Sequence, residues 1–423
     1  MTTALVLSRF LPYDSQKVHG MYQRLGTQLE ALARVVDRLE TLFLVPVDQD
    51  CSPDAVREHQ DRLRRLWSPA ISLRLAPTVV DDVPDSRWQR IGRGVFDFHA
   101  QLIARPTSTA ASVSAVSAAL DARPDIILAH RLDAMCPLMK ISREKLRGAA
   151  LFFDMDDIEH LTSLRRLLRD PAWPAQRLLL LQLPALLLAE LRAMRLATAT
   201  FVCSEADRHY LARLTRSARI QTVPNSVAFP TVSDTDASEL LILFVGAMGY
   251  RPNAQAADSL VQQVWPAVRA RVPAVRLAII GPGREHTASY RTADSSVTFT
   301  GFVDDLESWY RRARVVCCPI YHGGGTRVKI IEAAAYAKAI VSTRIGAEGL
   351  NFEDGREIIL RETPMEIAQA CVRLLNDPLA AARLGRAALR KAHCTYERSA
   401  VVNQLESIFR AGRTEGLRHR AYA

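Results

Sequence analysis

The stretch Tyr321-His322-Gly323-Gly324-Gly325-Thr326-Arg327-Val328-Lys329-Ile330-Ile331-Glu332-Ala333-Ala334 gathers the residue types that handle a phosphate-bearing ligand. Three consecutive glycines let a backbone approach a ligand closely and present its N–H groups. A helix opening just after them adds positive potential at its first turn, which favours an anion. Arg327 and Lys329 add two cations, and Glu332, further along the same helix, offers a carboxylate to hydroxyl groups. The same residues also fit a glycine-rich turn with solvated charges. A Walker A loop is excluded, because no Gly-Lys-Ser/Thr closes the run.

Two other places carry candidate chemistry. His130 closes the apolar run 126–129, and a residue at the C-terminal end of a parallel strand faces the crevice where ligands bind. It is equally readable as a satisfied histidine at a strand end. Asp154-Met155-Asp156-Asp157-Ile158-Glu159-His160 is an acidic cluster after another apolar run. Helix capping and positioning of an acceptor are the expectation there, in preference to a metal site. The 7 cysteines lie at 51, 136, 203, 317, 318, 371 and 394, with no CxxC pair, and read as reduced thiols packed as small hydrophobes.

Such a loop must sit at the mouth of a parallel sheet, and the patterning predicts one. Apolar runs at 4–10, 41–46, 126–129, 149–153 and 198–203 alternate with helix-period segments, the clearest at 18–36 and from Ser204 onward. Strand then helix, repeated, predicts a parallel sheet covered on both faces. A turn-rich break at 223–230 and a polar stretch at 233–239 follow. The pattern then restarts, with strands at 240–246, 276–281, 297–300, 315–320, 339–342 and 357–360 and helices at 254–270, 328–337 and 366–376. A chain of 423 residues exceeds one ordinary core. Two domains are expected, 1–228 and 229–399, with a C-terminal helix over about 400–423 packing back on the first. The basic end from residue 410 is expected to fray.

With these residues and elements in place, the chain resembles the retaining glycosyltransferases of the GT-B fold, family 4, and within them a subgroup linked to exopolysaccharide sugar transfer. Glu332-Ala333-Ala334-Ala335-Tyr336-Ala337-Lys338-Ala339-Ile340-Val341 is similar to the family's E-A-x-A-x-G-x-P-V-V helix and strand. Val223-Pro224-Asn225 resembles its interdomain turn, Phe201-Val202-Cys203-Ser204 its strand end, and Gly301-Phe302-Val303 the segment whose backbone meets the nucleotide base. Gly246-Ala247-Met248-Gly249-Tyr250-Arg251-Pro252-Asn253 resembles the subgroup's G-x-M-x-Y-x-P-N. The resemblance covers most of the chain and is strongest over 240–350.

The resemblance implies an α/β architecture of two Rossmann-like domains with parallel sheets facing across a cleft, the second holding a nucleotide-sugar. It implies catalytic roles for His130, Arg327, Lys329 and Glu332, with His130 pointing at the donor sugar. Donor contacts are implied at Gly246, Met248, Asn253, Gly281, Val303, Gly323, Gly324, Gly325 and Thr326. His19 and Gly20, in the first β–α loop, fall on the acceptor side. No metal and no cofactor are implied, since the nucleotide-sugar is a co-substrate. Two departures stand out. Gly324 takes the place of the first Glu of the family's E-x7-E, so backbone N–H groups of Gly324, Gly325 and Thr326 are the expected substitutes. The family's Arg and Lys after the 240–246 strand are missing, so Arg327 and Lys329 become the diphosphate cations, with Arg251 as a further candidate.

Composition narrows the partners. Apolar residues make up 48% and charged residues 24%, which excludes a disordered or collagen-like chain. The net charge is +10, but no basic stripe with interleaved aromatics appears, so no nucleic-acid partner is expected. Anionic small molecules or an anionic membrane surface fit better. No signal peptide is read at the N-terminus, and the longest apolar run, 178–189, is too short to span a bilayer. A cytoplasmic protein is expected. The segment 177–195 reads either as a helix buried against the sheet or as a peripheral contact with the inner membrane face. The function expected is transfer of a sugar from a nucleotide-sugar to the hydroxyl of a glycan, glycolipid or lipid-linked acceptor, with retention. A GT-B sugar-nucleotide epimerase and a non-catalytic nucleotide-sugar binder are the alternatives. A dehydrogenase is excluded, because no G-x-G-x-x-G follows the first strand.

Overall fold

A computed structural model of the chain describes residues 1–11, 20–78, 86–169, 177–215, 219–230, 239–292 and 294–421. They form two compact units, Met1–Pro224 with Val401–Ala423, and Asn225–Ala400.

In the first unit the strands are β1 (Thr3–Ser8), β2 (Arg38–Pro46), β3 (Ile71–Thr78), β4 (Ile126–His130), β5 (Ala150–Asp156), β6 (Ala199–Val202) and β7 (Ile220–Thr222). They make one sheet in the order β3-β2-β1-β4-β5-β6-β7, with every pairing parallel. β4, Ile-Ile-Leu-Ala-His, is buried at all five positions, as a strand covered on both faces must be. Only the edge strand β3 shows alternating exposure, and it tolerates Pro77. Apolar clusters lie on both faces of this sheet.

In the second unit β8 (Leu241–Val245), β9 (Arg276–Ile280), β10 (Val297–Gly301), β11 (Val315–Cys318), β12 (Ala339–Ser342) and β13 (Ile359–Leu360) form a parallel sheet. Its order is β10-β9-β8-β11-β12-β13. The helical stretch from Arg251 to Arg271 is α-helical over Arg251–Ser259 and Trp265–Arg271, with a π-helical turn at Leu260–Val264 between them. Pro266 lies at the start of the second segment and has no N–H for the preceding ladder, which the wider turn accommodates.

Each sheet reverses its order once, between β1 and β4 and between β8 and β11, and ligands bind beyond the strand ends at such points. His130 ends β4, and the glycine loop follows β11. The C-terminus departs from the sequence expectation: instead of fraying at residue 410, the last helix is continuous over Arg398–Ala421. Val401, Val402, Leu405 and Phe409 join the core of the first unit, where Phe409 meets Phe152 edge-on at 4.9 Å. Gly412 is required there, since a Cβ would lie 2.4 Å from the Phe152 ring. That packing holds the helix through its last apolar turn.

Candidate active site

In the second unit the glycine loop leads into the Val328–Ala335 helix, with Arg327 as its N-cap. Gly323 and Gly325 have φ of 113° and 70°, a region that side chains rarely enter, so the loop's path depends on them. Gly324 lies between them, and its carbonyl and that of Gly325 accept hydrogen bonds from Arg327 Nη1. Arg327 is buried, and among the described residues its Nε and Nη2 have no hydrogen-bond partner. Thr326 Oγ1 accepts from Asn225 Nδ2 at 2.7 Å, which ties the loop to the turn that opens the unit.

Lys329 is half-buried. Its Nζ donates to Asn253 Oδ1 at 2.7 Å and lies 4.5 Å from the centre of the Phe244 ring. Among the described residues it makes no ion pair. Burial, partly offset by Cys318 and reinforced by Arg327, lowers the ammonium to about 8. Asn253 in turn donates to Ala247 O at 2.9 Å. Gly246 leaves room for both side chains: a Cβ there would lie 2.7 Å from Lys329 Nζ and 2.8 Å from Asn253. Gly281 closes the same corner, where φ is +138° and a Cβ would lie 2.0 Å from Gly246 O.

Glu332 sits one turn beyond Lys329 and accepts from Tyr310 OH at 2.8 Å. Tyr310 is buried and stacks on Tyr336 at 5.0 Å. Burial, and then Glu332 itself, push the Tyr310 hydroxyl well above its usual range, so it remains a donor. The structure thus brings Gly246, Asn253, Arg327, Lys329 and the glycine loop into one corner beside the β8/β11 switch. Met248 is placed differently: its side chain is 1% exposed within the apolar core, leaving its backbone as the part that lies in the loop. Val303 packs half-buried on that core, and Arg251 is exposed at a helix start.

In the first unit His130 is fully buried and its Nδ1 meets Asp154 Oδ2 at 2.8 Å. Asp154 also accepts from Arg24 Nε at 2.9 Å and Nη2 at 2.5 Å, while Arg24 Nη1 donates to Val223 O. Burial opposes charge on Asp154, but Arg24 and the His130 bond outweigh it and hold the carboxyl well below its usual range. An ionised Asp154 accepts only, so His130 Nδ1 carries the proton and, in the neutral ring, Nε2 presents a lone pair. That Nε2 is buried without a hydrogen-bond partner among the described residues.

The acidic cluster is matched by guanidinium groups. Arg131 bonds Glu159 at 2.8 Å and lies 3.6 Å from both Asp156 and Asp157. Arg131 and Asp156 have φ of 71° and 57°, uncommon for residues with a Cβ, at the two strand ends that flank His130. Gly20 opens the Gly20–Ala33 helix that carries Arg24. His19 lies outside the described residues. Sequence reading missed Arg24 and Tyr310, and it placed Asn225 in a turn without seeing its bond to Thr326. The partners of Arg24, Asn225 and Tyr310 lie 130, 101 and 22 residues away, and no local pattern marks these contacts.

Residues 239–377 match the family model for glycosyl transferases, group 1. No curated protein matches the sequence. Among solved structures, sucrose-phosphate synthase from Thermosynechococcus elongatus is similar with a TM-score of 0.69 at 16% identity, covering 97% of this chain and 99% of that one. HepE from Anabaena, in complex with UDP and glucose, gives 0.64 at 13%, covering 97% and 100%. TarM, from S. aureus, gives 0.70 at 10%, covering 97% and 99%. At these identities the likeness is one of fold: two Rossmann-like α/β units of the GT-B type.

Proposed function

We propose that the protein is a glycosyltransferase that moves a sugar from a nucleoside-diphosphate sugar to an acceptor hydroxyl, with retention of configuration. The observation that carries this reading is the pair of cations at the start of the Val328–Ala335 helix. Among the described residues, Arg327 has two buried nitrogens with no hydrogen-bond partner, and Lys329 makes no ion pair, with Glu332 only a longer-range influence on it. Unpaired positive charge beside a helix N-terminus is an arrangement that a diphosphate completes. The similarity of residues 239–377 to the group 1 glycosyl transferase family model supports the same chemistry. UDP, present in the HepE complex, is the first nucleotide to test.

In the reaction the bond between the anomeric carbon and the β-phosphate oxygen breaks, and its electron pair goes to the diphosphate. Arg327, Lys329 and the helix end stabilise that growing charge. The acceptor oxygen bonds to the anomeric carbon on the face the diphosphate leaves, and its proton passes to a diphosphate oxygen. Glu332, oriented by Tyr310, accepts hydrogen bonds from donor hydroxyls. His130 Nε2 accepts one from the sugar. No step is assigned to a metal or to a separate protein base. A glycan, glycolipid or lipid-linked saccharide is the acceptor class, and a cytoplasmic setting, where nucleotide-sugars are available, fits the donor. The test is nucleoside diphosphate release from a panel of nucleotide-sugars with saccharide acceptors, and the anomeric coupling of the product. A product of inverted configuration would sink the retaining mechanism, and no turnover with any donor would sink the enzyme reading.

A further inference from the structure

We infer that one face of the first unit is a docking surface for an anionic lipid bilayer. It is built from the Arg87–Phe96, Glu159–Arg169 and Leu183–Leu196 helices and the Arg177–Gln182 turn. These elements pack on one another. Two glutamines stitch them together: Gln101 Nε2 donates to Gly94 O and Gln182 O, and Gln182 Nε2 donates to Ile91 O.

Two observations point outward from this array. Trp88, Phe96, Leu168, Leu181 and Leu188 are 69%, 92%, 67%, 55% and 44% exposed, and Leu102 beside them is 73% exposed. These are six of the twelve large apolar side chains exposed among the described residues, gathered on one small part of the molecule. The four elements also carry nine arginines, at 87, 90, 93, 165, 166, 169, 177, 192 and 195, and only two acids, Glu159 and Glu190. Both acids are turned to internal work. Glu190 is fully buried against His160 and the Glu159 N–H, and Glu159 holds Arg131. Arg93, Arg166, Arg177, Arg192 and Arg195 are exposed.

Exposed Trp, Phe and Leu within a field of arginine fit the interface of a bilayer, where rings and aliphatic chains enter the headgroup boundary and guanidinium groups meet phosphate. A second copy of the same face would bring five exposed arginines against five. A nucleic acid would leave the leucines without partners. The 177–195 segment therefore does both things its sequence allowed: Leu186, Ala189, Ala193 and Met194 are buried in the unit, while Leu181, Leu188, Arg192 and Arg195 face out.

The test is flotation of the full chain with vesicles of phosphatidylcholine, with and without phosphatidylglycerol, at low and high salt. Trp emission is read in parallel. The protein is expected to float with the anionic vesicles at low salt, to be released by salt, and to show a blue shift that Trp88→Phe removes. Trp88→Ala/Phe96→Ala and Arg192→Glu/Arg195→Glu should each lower the bound fraction about tenfold or more, with an unchanged melting temperature showing that the fold is kept. No flotation with anionic vesicles at low salt overturns the inference. So does flotation that neither double substitution weakens. Concentration-dependent self-association that Trp88→Ala/Phe96→Ala abolishes, without any vesicle binding, would assign the face to a second copy and overturn the lipid surface. None of these readouts depends on sugar transfer.

Discussion

Lys329 has a cost and a use that separate experimentally. Its ammonium lies near 8 in the folded chain, below the ordinary lysine value of 10.5. Below pH 8 both folded and unfolded states carry the proton and the full penalty of burying the charge is present. The penalty falls between pH 8 and 10.5 as the folded state releases its proton first, and is gone above 10.5. Because Lys329 is only half-buried, the penalty is of the order of 2 kcal/mol. Lys329→Met is therefore expected to raise stability at neutral pH by about 1–2 kcal/mol, with the gain fading toward pH 10.5, while it removes diphosphate binding. Urea unfolding at pH 7 and pH 10 checks this. In the native protein, diphosphate affinity should fall above pH 8 as Lys329 loses its proton, by up to about tenfold per pH unit.

Glu332 and His130 are the other residues whose surroundings define a task. Glu332→Gln should lower turnover about 10–150-fold through one lost charged hydrogen bond, with the melting temperature little changed, and steady-state kinetics reads this. For His130, nitrogen NMR of the imidazole should find Nδ1 protonated, as the bond to Asp154 dictates. The opposite tautomer would remove Nε2 as an acceptor for the sugar. The glycine loop and its two cations were legible because loop, charge and helix start are contiguous in the chain. The Arg24–Asp154–His130 chain was not, because burial makes it: Arg24 looks like any helix arginine until the fold sets it against β5.

At the scale of elements, glycines decide how two strands end. Gly281 cannot gain a Cβ without meeting the Gly246 carbonyl, and its φ is positive, so Gly281→Ala should destabilise the fold by about 2–4 kcal/mol. At Gly246 the atoms nearest to an added Cβ are the side-chain ends of Lys329 and Asn253, not backbone. Gly246→Ala should therefore keep most of the stability and weaken diphosphate binding; thermal melts with and without UDP separate the two outcomes. The strands themselves divide by burial. β1, β4, β5, β8, β11 and β12 were legible as apolar runs because both of their faces are covered. β3 was missed because, at the sheet edge, its exposed positions hold Arg74 and Pro77, and β7 because it has only three residues, all half-buried. The last helix was read as fraying from its charge, since nothing local shows that Phe409 and Gly412 pack on Phe152.

At the scale of the molecule, the net charge of +10 is distributed by the fold, not by runs in the sequence. Exposed arginines from separate segments sit on elements that pack together in the first unit, and Arg327 and Lys329, at one helix start, define the corner of the second. With two cores, unfolding need not be two-state. A nucleoside diphosphate should raise the transition of the second unit, by about 2.7 kcal/mol at a hundredfold excess over Kd. The most direct test of the account is titration calorimetry of UDP, GDP and ADP, each against its nucleoside, on the native protein and on Arg327→Ala and Lys329→Ala. At least one diphosphate is expected to bind more tightly than its nucleoside, and each substitution should erase most of that difference while leaving the nucleoside affinity in place. Equal losses for nucleoside and diphosphate, or diphosphate binding at native strength in both variants, would contradict it.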